Sequence, residues 1–259
     1  MDKKELKKKY KYDKKNIRCS YREMRNDARQ SYLSGLVDIR LNQGRKIPVN
    51  PPWRPGLEEI GNAVTHGVGS LLSVLALVLM CLAANTRVEY LGAVICFVGQ
   101  MLMFTISCLY HSFRHGSAVK RLFRRFDYSS IYFMIGGTFA PILLCYSRSP
   151  LAIWFFFIQW ALIVTGVTFI GVYGPTRLNW LHFPLYLLLG WCGIMFIPEM
   201  LTRGDYLLFS LILGGGVLYS LGVVPFTMKK RVAHFIWHFF VLAGAIVQWF
   251  GIYLVIYLG

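Results

Sequence analysis

The sequence predicts an all-α membrane protein, a seven-transmembrane-helix bundle with a cytoplasmic amino terminus and an extracytoplasmic carboxyl terminus. Three observations carry that expectation. The 259 residues are 56% hydrophobic with a mean hydropathy of +0.48, above the roughly 45–50% apolar content of a soluble domain. Seven apolar runs reach the ~20 residues that a helix needs to cross a bilayer. The formal charge of +16 is concentrated, with 16 Lys and Arg against 6 Asp and Glu in residues 1–56 and the other basic residues almost entirely between the apolar runs. A soluble single-domain enzyme is disfavoured, and the charge describes an aqueous arm on an apolar body rather than a nucleic-acid footprint.

Residues 1–56 form the arm. From Met1 to Lys15 the run of Lys offers little apolar area to bury against its own repulsion, so disorder is expected. Tyr32 to Leu41 is a short amphipathic stretch, and Pro48, Pro51, Pro52 and Pro55 predict a stiff extended linker. The arm holds no apolar core of the kind a secretory signal needs. Basic residues near an anionic leaflet attract headgroups at ~1 kcal/mol each, which makes anionic lipid a candidate partner of the arm.

Residues 57–259 are the transmembrane domain, with helices expected at about 60–84, 90–111, 127–146, 151–173, 180–199, 206–225 and 234–257. Short connections imply a compact bundle, and the lack of alternating polarity excludes a membrane barrel. Orientation follows from loop charge, because basic residues in short loops stay in the cytoplasm. The second connection carries Arg114, Lys120, Arg121, Arg124 and Arg125, the fourth Arg177, and the sixth Lys229, Lys230 and Arg231. The alternate connections are nearly neutral. The six cysteines (19, 81, 96, 108, 145 and 192) include no CxxC pair, so neither a disulfide framework nor a thiolate metal site is implied.

The histidines carry the chemistry. His234 and His238, at i and i+4, stack on one helix face and can present two imidazoles to one metal. Alone, such a pair serves equally well as an interfacial cap. His111 at the end of the second helix, Ser107 one turn before it and Asp127 beyond the basic loop fall at the same membrane depth. Three imidazoles suit Zn2+, which takes nitrogen ligands and keeps an open position when catalytic, whereas iron or manganese more often recruits further carboxylates. Asp127 is a candidate general base; an ion pair with Arg124 or Arg125 is its structural alternative. Glu59, Asn62 and His66 form a supporting polar cluster, read as hydrogen-bonding ties of the first helix. His115 and His182 are read as solvated or interfacial.

The residues then resemble a family. Glu58-Glu59-Ile-Gly-Asn62-Ala-Val-Thr65-His66-Gly67 resembles an E-x-x-N-x-x-x-H signature, and Ser107-Cys-Leu-Tyr110-His111-Ser112 an S-x-x-x-H element. Asp127-Tyr-Ser-Ser-Ile-Tyr-Phe-Met-Ile-Gly-Gly-Thr138-Phe-Ala-Pro141 resembles a D-H-S-x-I-Y … G-T-x-x-P block, and His234-Phe-Ile-Trp237-His238 completes the set. Together, over residues 58–257, they look like the progestin and adipoQ receptor / hemolysin III superfamily, most like its bacterial hemolysin III branch. The resemblance implies a zinc ion near the cytoplasmic face on His111, His234 and His238, with Asp127 holding the ion's water and Ser107 beside it. It further implies lipid chemistry: ceramidase activity and lipid signalling in the eukaryotic receptors, fatty-acid homeostasis in bacterial relatives. Tyr128 departs from the family's His, and the arm is longer than that branch's. The expectation is an integral membrane protein, in a bacterial inner (plasma) membrane, acting as a zinc-dependent hydrolase of lipid amides or esters. A sensor or receptor with structural zinc, and a cytolytic hemolysin, are the alternatives. Substrate identity and oligomeric state stay open, and no nucleic-acid partner is expected.

Overall fold

A computed structural model describes residues 2–41, 50–228 and 230–259. Pro48 and Lys229, placed above in the linker and the sixth connection, lie outside the described residues. The arm differs from expectation. Lys3–Leu41 is one helix, α1, where disorder and a separate amphipathic stretch were expected. Lys, Arg, Glu, Leu and Met are good helix formers, no Pro or Gly intervenes before Gly35, and Asp and Glu interleave with the basic residues. Residues 50–55 are non-helical, and Pro55 holds φ −58°, ψ 147° directly before α2, the extended conformation a proline run favours.

Residues 50–259 form a compact unit of their own. Its helices are α2 (Gly56–Ala83), α3 (Arg87–Ser112), α4 (Ala118–Pro141), α5 (Pro150–Tyr173), α6 (Asn179–Trp191), α7 (Ile197–Thr202), α8 (Tyr206–Thr227) and α9 (Ala233–Ile252). A π turn extends α4 through Ile142–Tyr146 and another extends α9 through Tyr253–Tyr257, while a 3₁₀ turn at Cys192–Phe196 joins α6 to α7. Among the described residues, seven helical segments are long and apolar enough to cross a membrane, the fifth running from Asn179 to Thr202. The seven-helix expectation holds.

The largest boundary difference bears on the site. The third span begins at Ala118, not near 127, because Ser117 caps it by accepting the Lys120 amide at 3.1 Å. The basic run of the second connection is therefore mostly helix, and Asp127 lies in the third turn of α4.

The closest-packed pairs are α3 with α4, α8 with α9 and α2 with α3, and α2 also meets α9. Lipid gives apolar side chains no preference for the interior, so close backbone approach has to come from small residues. At the α3–α4 crossing, a Cβ added to Gly99 would lie 2.4 Å from the Phe133 carbonyl oxygen and 3.0 Å from the Gly137 Cα. Leu71, Leu82 and Leu188 instead point outward, 66–80% exposed, as a lipid-facing surface requires. At the end opposite the site, the Tyr146 hydroxyl donates to Asp205 at 2.7 Å and Arg203 donates to the Tyr146 carbonyl at 2.7 Å, tying α4 to the α7–α8 connection.

Candidate metal centre

Each polar position arises from helical spacing. Glu59, Asn62 and His66 recur at i, i+3 and i+7 on α2, Ser107 and His111 at i and i+4 on α3, and His234 and His238 at i and i+4 on α9. Because α2 packs against both α3 and α9, these stripes face one another at one end of the bundle. The ligand nitrogens of His111, His234 and His238 all lie within 4.8 Å of one another. His111 and His238 are buried and His234 half-buried.

The donor set fits zinc. Two nitrogens about 2.05 Å from one tetrahedral ion are about 3.3 Å apart, and His234 Nε2 lies 3.3 Å from His238 Nε2. The third ring is oriented from behind. His111 Nδ1 is 2.6 Å from Glu59 Oε2, and a carboxylate only accepts, which assigns the proton to Nδ1 and leaves the Nε2 lone pair free. That Nε2 is buried without a hydrogen-bond partner, an arrangement a bound cation would satisfy. Lys120 Nζ lies 3.0 Å from Glu59 Oε1 and 3.1 Å from the Phe113 carbonyl oxygen it also donates to. A lysine counted in the sequence as a loop charge is thus fully buried, balancing the carboxylate that orients a ligand. Asn62 Nδ2 approaches the same His111 Nδ1 at 3.3 Å.

His66 packs behind the site and lies outside the converging set. Its ring stacks on His238 with centroids 3.8 Å apart and meets the edge of Phe104 at 5.2 Å. Neither of its nitrogens has a hydrogen-bond partner, and His238 Nδ1 also lacks one, so stacking orients His238 where Glu59 orients His111. Glu58 of α2 ties down the start of α9 by accepting the Val232 amide at 3.3 Å. Val232 is a β-branched residue at φ 67°, in the left-handed region that costs such a residue roughly 1–3 kcal/mol, and it directs the chain into α9 two residues ahead of His234.

Asp127 stands apart from the three nitrogens. The Ser107 hydroxyl donates to its carboxylate, and its Oδ1 is buried without a hydrogen-bond partner. The two arginines offered as ion-pair partners turn elsewhere: Arg124 donates to the Asn50 carbonyl at 3.5 Å and Arg125 to the Gly171 carbonyl at 3.1 Å. His182 is a correction. It is 1% exposed, with Nδ1 2.8 Å from the Tyr132 hydroxyl, because α6 packs on α4 there. The sequence reading missed Lys120 as part of the site. Its signal is the face it shares with Arg124 and Asp127 at i, i+4 and i+7.

The region carrying these residues matches a known family. The sequence pattern of the haemolysin-III related family covers residues 56–249. The chain belongs to that family. It is 36% identical over 198 residues to Hemolysin-3 of Bacillus cereus, spanning 74% of this chain and 89% of the relative. It is 36% identical over 197 residues to the Hemolysin-3 homolog of Bacillus subtilis, 74% of this chain and 92% of the relative. The Homo sapiens monocyte to macrophage differentiation factor is 26% identical over 219 residues, 82% of this chain and 90% of the relative. With the seven apolar helices, this haemolysin-III related chain is an integral multi-pass membrane protein.

Glu59 supplies a first expected result. Glu59→Gln removes the charge that fixes the His111 tautomer and leaves Lys120 buried without its counter-ion, so if the three imidazoles hold a metal, the affinity for added zinc should fall about 10–100-fold. Competition with a fluorescent chelator measures it, and an unchanged affinity would contradict the orienting role.

Proposed function

We propose that this protein is a zinc-dependent hydrolase of lipid amide or ester bonds, ceramidase-like in chemistry, serving membrane lipid homeostasis. The observation that carries the reading is three convergent imidazole nitrogens beside a cavity open to long apolar groups. The cavity, about 110 Å³, lies among α4, α6, α8 and α9. Tyr128, Phe226 and Trp237 line its near end and Thr138 and Gln248 its far end. The ten residue steps from Tyr128 to Thr138 correspond to about 15 Å of helix. Trp237 lies directly before His238 in α9, and Phe226 meets the His234 ring at 5.8 Å, so the apolar space begins at the metal ligands.

His111, His234 and His238 would hold the zinc ion, which when bound would supply Lewis acidity toward a carbonyl and toward water. The chain's own residues do the rest. Glu59 and Lys120 hold His111 in the tautomer that presents Nε2. Asp127, oriented by the Ser107 hydroxyl, accepts the proton of attacking water at its free Oδ1 and returns it to the leaving amine or alkoxide. The cavity walls hold the acyl chain out of water and fix the scissile bond at its mouth. Turnover of amide and ester lipids by purified zinc-loaded protein tests the reading; a protein that holds zinc yet cleaves neither class overturns it.

The alternative is a sensor or receptor in which zinc only staples α3, α4 and α9 together, Asp127 closing its fourth position. Its specific support is that the three ligands come from two helices, α3 and α9, which a single ion would join. Cytolysis, the activity for which the bacterial Hemolysin-3 relatives are named, finds less support, because the helices are continuously apolar; release of haemoglobin by externally added protein would restore it.

The orientation we favour is a cytoplasmic amino terminus, supported by Arg114, Arg177, Lys230 and Arg231 at the ends shared with the site. Alkaline phosphatase fused after Gly259 should then be active and a fluorescent protein there dark. The reverse pattern would invert the assignment and place the site outside.

A further inference from the structure

The arm lies outside the region the family pattern covers, and its pattern points to a ligand of its own. At 100° per residue, Leu6, Tyr10, Ile17, Tyr21, Met24 and Tyr32 fall within about 80° of the α1 circumference. These side chains are 52–68% exposed, so the stripe is uncovered. Tyr10, Tyr21 and Tyr32 recur every 11 residues, close to three helical turns. The adjoining face, about 100° wide, carries Lys7, Lys11, Lys14, Lys15, Arg18, Arg22, Arg25 and Arg29. Glu5, Glu23 and Asp27 gather beyond the stripe's other edge, with Asp13 at that edge. Over Lys3–Leu41, 13 basic residues against 5 acidic give a net charge of +8.

We propose that α1 is a surface-lying helix that docks on an anionic bilayer, its apolar stripe among the headgroups and its basic face on lipid phosphates. A charged helix of low overall hydrophobicity with one narrow apolar stripe partitions into the interface plane rather than across the membrane. Tyrosine suits that depth, having an apolar ring and a polar tip. The continuous run of positive charge beside the stripe selects phosphate-bearing, negatively charged lipid over a neutral surface. A second copy of the helix fits less well, because a seam repeating every 3.5 residues through Ile17, Tyr21, Met24 and Ala28 also includes Lys14 and Ser31.

The full chain, reconstituted at one protomer per nanodisc, provides the test. Chymotrypsin cuts after the stripe's own tyrosines. Cleavage at Tyr10 and Tyr21 is expected to be at least about tenfold slower in discs with about 30% phosphatidylglycerol than in pure phosphatidylcholine. The protection should vanish near 0.5 M salt, where screening shortens to about 4 Å. The combined K7E, K15E, R18E and R25E substitutions keep helix-forming residues and leave the Tyr10-Lys11 and Tyr21-Arg22 bonds unaltered, and should restore fast cleavage in the anionic discs. Equal rates in both lipids overturn the proposal. Protection that needs two protomers per disc and ignores lipid charge also overturns it, assigning the stripe to a second copy.

Discussion

Replacing His234 and His238 together by alanine is expected to take bound zinc from about one ion per chain to none, and lipid hydrolysis with it. The two Nε2 atoms lie 3.3 Å apart, so both ligands leave from one edge of the coordination polyhedron and His111 alone remains. Elemental analysis of protein purified in detergent without chelator, wild type beside variant, reads the result directly. Thermal unfolding separates the two roles a metal has here. A structural ion would make the single His234→Ala variant markedly less stable, because α9 would lose its attachment to α3. A catalytic ion on a bundle already held by the Gly99–Gly137 crossing and the Glu58–Val232 bond would cost activity and leave most of the stability. Wild-type protein without metal would leave the imidazoles as interfacial packing or proton-handling groups, and the sensor reading would then precede the hydrolase.

Much of this was legible in the sequence, for a physical reason. Crossing a bilayer forces length and apolarity on each helix, so the seven spans follow from composition, and the i, i+4 histidine pair follows from helical periodicity alone. What failed was reading charge as loop. Lys120, Arg121, Arg124 and Arg125 look like an aqueous connection, yet Ser117 caps a helix that includes them and Lys120 is buried against Glu59. A buried lysine is invisible to a hydropathy reading because its cost is offset by a carboxylate 61 positions away in the chain. His182 failed likewise: nothing local announces that Tyr132, on another helix, will meet it. The arm failed in the opposite sense, its charge suggesting disorder while its 3.6-residue pattern carried an apolar stripe.

Asp127→Asn separates the two readings of the site most sharply. The substitution keeps the shape of the side chain and its contact with Ser107 while removing the negative charge and its capacity to take a proton. If Asp127 is the general base, hydrolysis should fall about 10²–10⁴-fold while zinc content stays at the wild-type level. The geometry favours that outcome, since among the described residues the nitrogens that converge come from His111, His234 and His238, and the Asp127 Oδ1 is buried and unpartnered rather than spent on Arg124 or Arg125. If Asp127 instead closes the coordination sphere of a structural ion, the amide is a much poorer ligand and zinc should be lost in the variant. Ser107→Ala adds the graded control: the base persists but loses the hydroxyl that orients it, so a smaller fall in turnover, again with full metal content, is expected. Metal loss in Asp127→Asn would therefore move Asp127 from proton transfer to ligation, and retained metal with unchanged turnover would remove it from the chemistry altogether.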